Sequence, residues 1–513
     1  MNIRFKNLLF FSLCLSLIFN YIPTRIQLNF IGGPVGNKLV IYPLIIGIIY
    51  TIWCEWKKKR IFVETGIFTK YCFVYISVSL LSLVLGLYTY PYWDLVLNGP
   101  VDQIEKLPKV LAFLSAHGID ISPKLLMSTW ICVRQIKGLF LEVFWCFGGA
   151  YLVYCWYKDD WKKGLYIATC ALISSIVIFL LYGFMDALYL YGNELAKIVL
   201  ITVNPYLHPI TTDNGWWPPL LWEGQLRSVF VEPSHVGNYL GLVVPFLLYY
   251  YLKRKRNALL FLIAAVSFIV VLTKARTAYA MMAGMLCLSI ILILFLSRNN
   301  WKQVIAILCA SIIGFYGGIC FINLPVNNVN NKQEVNVATV IDDNLGSLAA
   351  SDKRSNGARY ALIKCNLRIA AQHPIFGVGS GLGLAYMLDN YTDDECNNQE
   401  VADWIRRSYK YGIFATGQGY GDAMNEYVTR LSQRGLVGLF VFLFPFLYII
   451  YKLYREKGYP LERLCLIFVL ITCLVAACNG SIHLIYAVWV PMGLAYAMCF
   501  GKDSSEKDVN ERA

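Results

Sequence analysis

The chain has 513 residues, 58% of them hydrophobic and 15% charged. A soluble chain carries about 25% charged residues, and a water-soluble fold of this size could not hide so much apolar surface, so a soluble globular protein is excluded. The net charge of +13 raises the question of nucleic-acid binding, but the placement of the basic residues reads as membrane topology instead.

Apolar runs long enough to cross about 30 Å of hydrocarbon predict twelve spans, at 7–23, 38–56, 67–88, 135–157, 164–183, 235–252, 257–273, 277–297, 302–323, 435–454, 461–479 and 482–500. The first follows Arg4 and Lys6, as in a signal peptide, yet no small-residue cleavage site comes after it, so a retained helix is expected. Lys57 to Arg60 follow span two, Lys158, Lys162 and Lys163 follow span four, and Lys253 to Arg256 follow span six. Arg298 and Lys302 follow span eight, and Lys452, Arg455, Lys457 and Arg463 follow span ten. All fall on one side if both termini are cytoplasmic, as the positive-inside rule requires. The fold class expected is therefore an all-α polytopic membrane protein, a single integral membrane domain over residues 1–513, with 501–513 as a cytoplasmic tail.

This topology puts 89–134, 184–234 and 324–434 on the outer face. A connection of about 110 residues is expected to be folded or functional. Residues 356–376 read as a helix lying on the membrane surface and 402–410 as a second short helix, while 326–355 are rich in Asn, Asp and Ser. Nothing repeats at a fixed period, and no matching halves suggest an inverted-repeat carrier. Most of the sixteen cysteines lie within spans, where Cys behaves as a small hydrophobe. Cys132, Cys365 and Cys396 fall in outer loops; whether Cys365 pairs with Cys396 is a question of geometry. No metal-ligand spacing occurs, and the acidic pairs Asp342-Asp343 and Asp393-Asp394 lack flanking ligands.

Charged residues at the outer rim of a membrane protein are functional candidates by default. In Arg227-Ser-Val-Phe-Val-Glu232-Pro233-Ser234-His235, Pro233 suits the first position of the sixth span. Glu232 then sits at the helix N-terminus, either as a reactive carboxylate or as a cap paired with Arg227. His235 reads as a helix-face histidine. In Thr273-Lys274-Ala-Arg276-Thr277, a short outer hairpin, two cations defy the positive-inside bias, as expected if they meet an anion or snorkel to headgroups. In Gly357-Ala-Arg359-Tyr360 to Arg368, the two arginines are nine residues apart and half a turn out of phase, so both cannot face one ligand; Arg359 is preferred. The glycines of His373-Pro374-Ile-Phe-Gly377-Val-Gly379-Ser-Gly381-Leu-Gly383 lack the strand and the Gly-Lys-Ser or Gly-Lys-Thr ending of a phosphate loop and predict a close-packed turn. Asn425-Glu426-Tyr427, with Arg430 and Gln433-Arg434-Gly435, leads into span ten.

Together these segments resemble the O-antigen polymerase and O-antigen ligase superfamily of bacterial membrane glycosyltransferases, over about residues 220–450. The matching features are Arg-x-x-x-x-Glu-Pro-Ser before a span, Thr-Lys-Ala-Arg-Thr, Arg-Tyr running into His-Pro-Ile-Phe-Gly-Val-Gly, and Asn-Glu-Tyr before Arg-Gly-Leu-Val-Gly. Ligases of the superfamily look to carry a histidine where this chain has Asn425, a departure that favours the polymerase branch. The resemblance implies a glycosyltransferase C-type helical fold at the outer face of the inner membrane. Its substrate would be an undecaprenyl-pyrophosphate-linked oligosaccharide, with no cofactor and no nucleic acid, and a chain-length regulator stays open.

A pyrophosphate-activated donor needs cations on the departing phosphate. Arg276 and Arg359 are the first candidates and Arg227 the third, with Lys274, Asn425, Arg430 and His373 as further substrate contacts. Glu232 is the carboxylate best placed to take the acceptor's proton. Trp216, Trp217 and Trp222 suit sugar stacking or an interfacial belt equally. Transfer of finished polymer to lipid A core is the alternative within the family. A twelve-helix transporter is the alternative outside it, for which Glu142 and Asp186 are the charges nearest the bundle, and an assembly partner without activity is a third class.

Overall fold

The computed structural model describes residues 3–57, 66–98, 102–209, 224–296, 300–324, 338, 354–413, 423–480 and 486–501, and among these no strand occurs. Trp216, Trp217, Trp222, Asp342-Asp343 and most of 326–355 lie outside them. Every predicted span overlaps a helix. In chain order the helices used below are α1 Ile3–Ser16, α2 Ile41–Lys57, α3 Gly66–Tyr88, α4 Pro123–Phe140, α5 Gly148–Tyr157, α6 Trp161–Leu190, α7 Ser234–Arg254 and α8 Asn257–Thr273. They continue as α9 Arg276–Leu296, α10 Trp301–Ile322, α11 Arg354–Gln372, α12 Gly383–Asn390, α13 Gln399–Tyr411, α14 Glu426–Arg455, α15 Pro460–Ala476 and α16 Tyr486–Phe500.

Among the described residues seven helical stretches are long and apolar enough to cross a membrane by themselves: Gly66–Tyr88, Pro123–Tyr157, Trp161–Leu190, Arg276–Phe295, Trp301–Ile322, Glu426–Arg455 and Pro460–Asn479. The protein is thus a polytopic all-α membrane protein. α7 is not one of the seven, and its packing explains why. It is buried almost without a break from Val236 to Leu252 and packs against α6, α9 and α15. A helix enclosed by protein does not need the lipid-matched surface that its neighbours carry.

One end of the bundle is basic. Lys253 Nζ bonds Glu462 Oε1 at 2.8 Å, Lys162 Nζ donates to the Tyr459 hydroxyl at 2.6 Å, and Lys6 Nζ donates to the Trp156 carbonyl at 2.7 Å. These contacts gather the loops after α5, α7 and α14 at one end, as the charge pattern predicts.

Three departures from the predicted boundaries shape the other end. The first span is expected to run to residue 23, but α1 stops at Ser16. The chain then folds back on itself: Ile22 N–H donates to Asn37 O at 2.9 Å, Leu28 N–H to Gly36 O at 3.0 Å and Leu39 N–H to Phe19 O at 3.1 Å. The fourth span begins twelve residues early at Pro123, where Ser122 Oγ accepts from Leu125 N–H at 3.2 Å. The same helix carries a π-helical turn, Leu141–Phe147, between α4 and α5. The tenth begins at Glu426 and is broken at Gly435, whose φ of 66° and ψ of −170° suit only glycine.

The end of α3 and the early start of α4 carry a second apolar core, separate from the bundle's, that holds the helices α11 to α13. Leu83, Met127 and Ile131 pack there with Leu362, Ile369, Tyr386 and Trp404. The glycine-rich turn after α11 is a packing device. Val378 N–H donates to Ser432 O at 3.0 Å and Gly379 N–H to Gln433 O at 2.9 Å, while Leu436 N–H donates back to Pro374 O at 2.8 Å. A Cβ on Gly377 would meet the Gln433 backbone at 2.4 Å, and one on Gly435 would meet Ile375 O at 2.1 Å. Cys365 and Cys396 are both free thiols, and the buried Cys365 thiol faces the Met387 carbonyl oxygen at 3.5 Å.

Candidate functional site

A cavity of about 410 Å³ opens at the end of the bundle opposite the basic loops. Its walls come from five places distant in sequence: the folded-back segment after α1 (Asn20, Tyr21, Asn37, Lys38), the start of α7 (Glu232, Ser234, His235, Asn238), α11 (Arg359), the turn after α15 (Asn479) and the start of α16 (Ala487). Two of the predicted site residues, Glu232 and Arg359, therefore face one space although 127 positions separate them in the sequence.

Pro233 takes the cap position of α7, which leaves Glu232 just outside the helix. The Ser234 hydroxyl donates to Glu232 Oε2 at 3.1 Å. The α8–α9 hairpin braces this turn, because Thr277 Oγ1 donates to the Ser234 carbonyl at 3.2 Å. The hairpin itself closes through Lys274, the left-handed cap of α8 with φ 48°. Lys274 is exposed, and the α9 guanidinium of Arg276 donates from Nη1 to Asn356 Oδ1 at 2.8 Å. Asn356 and Arg359 are three residues apart in the first turns of α11, so Arg276 and Arg359 border the same helix end.

Arg359 is exposed, and its Nη1 donates to Asn479 Oδ1 at 3.0 Å. Asn425, the N-cap of α14, accepts from Val428 N–H at 3.1 Å and donates through Nδ2 to Cys478 O at 2.9 Å. The turn Ala477–Asn479 thus ties Asn425 and Arg359 to one short piece of backbone.

The other predicted contacts lie elsewhere. Arg227 is 1% exposed and turned into the protein; its Nη1 donates to Val231 O at 3.3 Å. The backbone N–H groups of Arg227 and Ser228 donate to Asp186 Oδ2 at 3.3 and 2.7 Å, which fixes the turn and with it the direction of the arginine. Burial pushes the Arg227 guanidinium below its usual range and His208, which faces it, well below the ordinary imidazole value.

Arg430 is also removed from the cavity. Its Nε bonds Glu426 Oε1 at 2.6 Å and its Nη2 bonds Glu142 Oε1 at 2.8 Å, with both carboxylates buried. The Tyr75 hydroxyl bonds Glu142 Oε1 at 2.7 Å and accepts from Arg430 Nη1 at 2.6 Å. Arg434 joins the same group through Tyr75 and Ser380. The two buried carboxylates compensate this buried guanidinium, so Arg430 serves the junction of α3, the π-helical turn and α14. Glu142 and Asp186, the charges that suited a transporter, are both engaged in these internal contacts.

His373 sits 14 residues beyond Arg359 on the α11 course, about 21 Å at 1.5 Å per residue. It packs edge-on against Tyr386, and partial burial lowers its pKa. Arg368, out of phase with Arg359 as the spacing predicts, pairs with Glu395 and donates from Nε to Asn390 O at 3.0 Å. Glu395 is further used in the capping box of the helix Asp393–Cys396.

Sequence reasoning missed Lys38, Asn20, Asn37, Tyr21, Asn238 and Asn479. The hydropathy places Lys38 as the first residue of a span, whereas α2 begins at Ile41. A usable signal existed: a lysine placed by the predicted topology away from the basic loops breaks the positive-inside pattern in the same way as Lys274 and Arg276. The Tyr21 ring carries Lys38 Nζ at 5.5 Å from its centroid and stacks on His235 at 5.6 Å.

The arrangement offers one exposed carboxylate, two cations and four asparagine amides around a single space. Asparagine both donates and accepts, which suits a substrate dense in hydroxyl groups. Residues 258–443, a little over a third of the chain, match the family model described as O-antigen ligase. The matched stretch takes in the α8–α9 hairpin, Arg359, the glycine-rich turn and Asn425 to Gly435; the Arg227–His235 segment precedes it. No curated protein matches the chain significantly.

Proposed function

From an O-antigen ligase family region at residues 258–443, we propose that the chain is a polymerase-type glycosyltransferase. It joins undecaprenyl-pyrophosphate-linked repeat units at the outer face of the inner membrane, with both termini cytoplasmic and the 324–434 loop outside. The observation that carries this reading is the convergence of Glu232 and Arg359 on one cavity edged with asparagines.

The reaction is a single inverting displacement. The acceptor sugar's hydroxyl oxygen attacks the anomeric carbon of the donor, and the bond from that carbon to the pyrophosphate oxygen breaks. The leaving lipid pyrophosphate keeps the electron pair. Glu232 accepts the hydroxyl proton, and Arg359, with Arg276 beside it, stabilises the charge that grows on the leaving phosphate. Guanidinium suits this work because its planar donors match phosphate oxygens two at a time.

The description of the matched family favours a second reading, transfer of finished polymer to lipid A core. Asn425 in place of the ligase histidine supports the polymerase. Purified protein reconstituted with a lipid-pyrophosphate-linked oligosaccharide, with and without lipid A core, separates them. A product ladder still attached to the carrier lipid is expected; product formed only with lipid A core would establish the ligase, and no transfer would remove both.

A further inference from the structure

Lys38 stands out among the charged groups that the mechanism does not use. It is 8% exposed, lies in the connection before α2, and lines the same cavity as Glu232 and Arg359. A lysine is seldom buried without a purpose, since removing an ammonium from water is expensive. The segment that carries it is built, not loose: the pairs Ile22 to Asn37 and Leu39 to Phe19 bracket it. Its Nζ donates to Asn37 Oδ1 at 3.2 Å and lies over the Tyr21 ring. The cavity lining holds two groups cationic at pH 7, Lys38 and Arg359, against one carboxylate, Glu232. A space so lined favours an anion.

We propose that Lys38 forms, with Arg359, an oxyanion-binding subsite inside the cavity, contributed by the folded-back segment after α1. The inference rests on the glycosyl-transfer reading for its substrate, and two sources offer the chemistry: the donor's pyrophosphate and the carboxylate of an acidic sugar. The charged and titratable groups facing Lys38 are Tyr21 on its own segment, Cys146 on the π-helical turn, Glu232 and His235 at the start of α7, and Arg359 on α11. Burial lowers the Lys38 amine to about 8, outside the membrane-spanning helices, so its charge is present at pH 7 and lost as pH rises through that value.

The test is binding of inorganic pyrophosphate and, separately, glucuronate to the full-length protein in detergent, for wild type, Lys38→Met and Lys38→Arg. Met keeps the volume of the buried stem, and unchanged melting temperatures establish that each variant is folded. Lys38→Met is expected to weaken binding about tenfold, the equivalent of about 1.4 kcal/mol. Wild-type affinity should fall between pH 7 and pH 9, whereas Lys38→Arg, charged throughout, should not lose affinity. Weakening for pyrophosphate alone identifies the phosphate source, and for glucuronate alone the sugar carboxylate. Equal affinity of wild type and Lys38→Met for both anions, or no binding by wild type, overturns the inference. Binding with these shifts but without glycosyl transfer would instead overturn the functional reading and leave the subsite standing.

Discussion

The side chain of Arg359 reaches Asn479, donating from Nη1 to Oδ1 at 3.0 Å, and so joins the first turns of α11 to the turn that ends α15. An exposed arginine is ordinarily free to choose among rotamers, and ordering it costs entropy. Held by Asn479 at the cavity edge, the guanidinium is oriented before substrate arrives. Replacing Asn479 by Ala is expected to lower the transfer rate about tenfold, in line with the loss of one hydrogen bond to a charged group. Initial rates measured on reconstituted protein at equal amounts check this, and an unchanged rate would remove Asn479 from the site.

Glu232→Gln keeps the shape of the side chain and removes its ability to take a proton. A drop of roughly 10²- to 10⁴-fold in kcat is expected from the loss of a general base, with KM little changed. Ser234→Ala, which removes the hydroxyl that donates to Glu232, should have a much smaller effect. Should Glu232→Gln turn over at the wild-type rate, the carboxylate is not the base.

The buried group of Glu142, Glu426, Arg430 and Arg434 predicts a stability effect. Breaking a buried pair by removing one partner leaves an uncompensated charge and costs about 3–5 kcal/mol. Glu142→Gln is therefore expected to lower the melting temperature in detergent and the yield of folded protein. A variant with the wild-type melting temperature would show that the pair contributes little to the junction.

Gly435→Ala should be poorly tolerated for two reasons. The position has φ 66° with an extended ψ, a region that costs a residue with a Cβ about 1–3 kcal/mol. The added Cβ would also lie 2.1 Å from Ile375 O. Loss of folded protein by size-exclusion chromatography is the expected result; a normal profile would mean that the α14 break and the glycine-rich turn can separate.

Hydropathy and charge made the bundle legible, because lipid imposes a length on each helix and the basic loops mark one end of it. Glu232 and Arg359 were legible as charges at the end of the bundle away from the basic loops, and the phase argument separated Arg359 from Arg368. The chain's return over residues 17–38 was not legible. An apolar run extending through Phe19 to Ile22 reads as more span, and only its long-range backbone pairs to Asn37 and Leu39 reveal the fold-back that places Lys38 on the cavity wall. Arg227 and Arg430 failed for the opposite reason: Asp186, which holds the Arg227 backbone, and Glu142, which pairs with the Arg430 guanidinium, lie 41 and 288 residues away, and no local pattern announces either contact.

The most direct test of the central claim is the rate of lipid-linked glycan elongation by Arg359→Ala in proteoliposomes, with folding checked by melting temperature. Loss of a preorganised cation at the leaving group predicts a fall of about 10²- to 10³-fold in a protein that melts like wild type. Wild-type chain lengths and rates from that variant would contradict the assignment of the cavity as the place where transfer occurs.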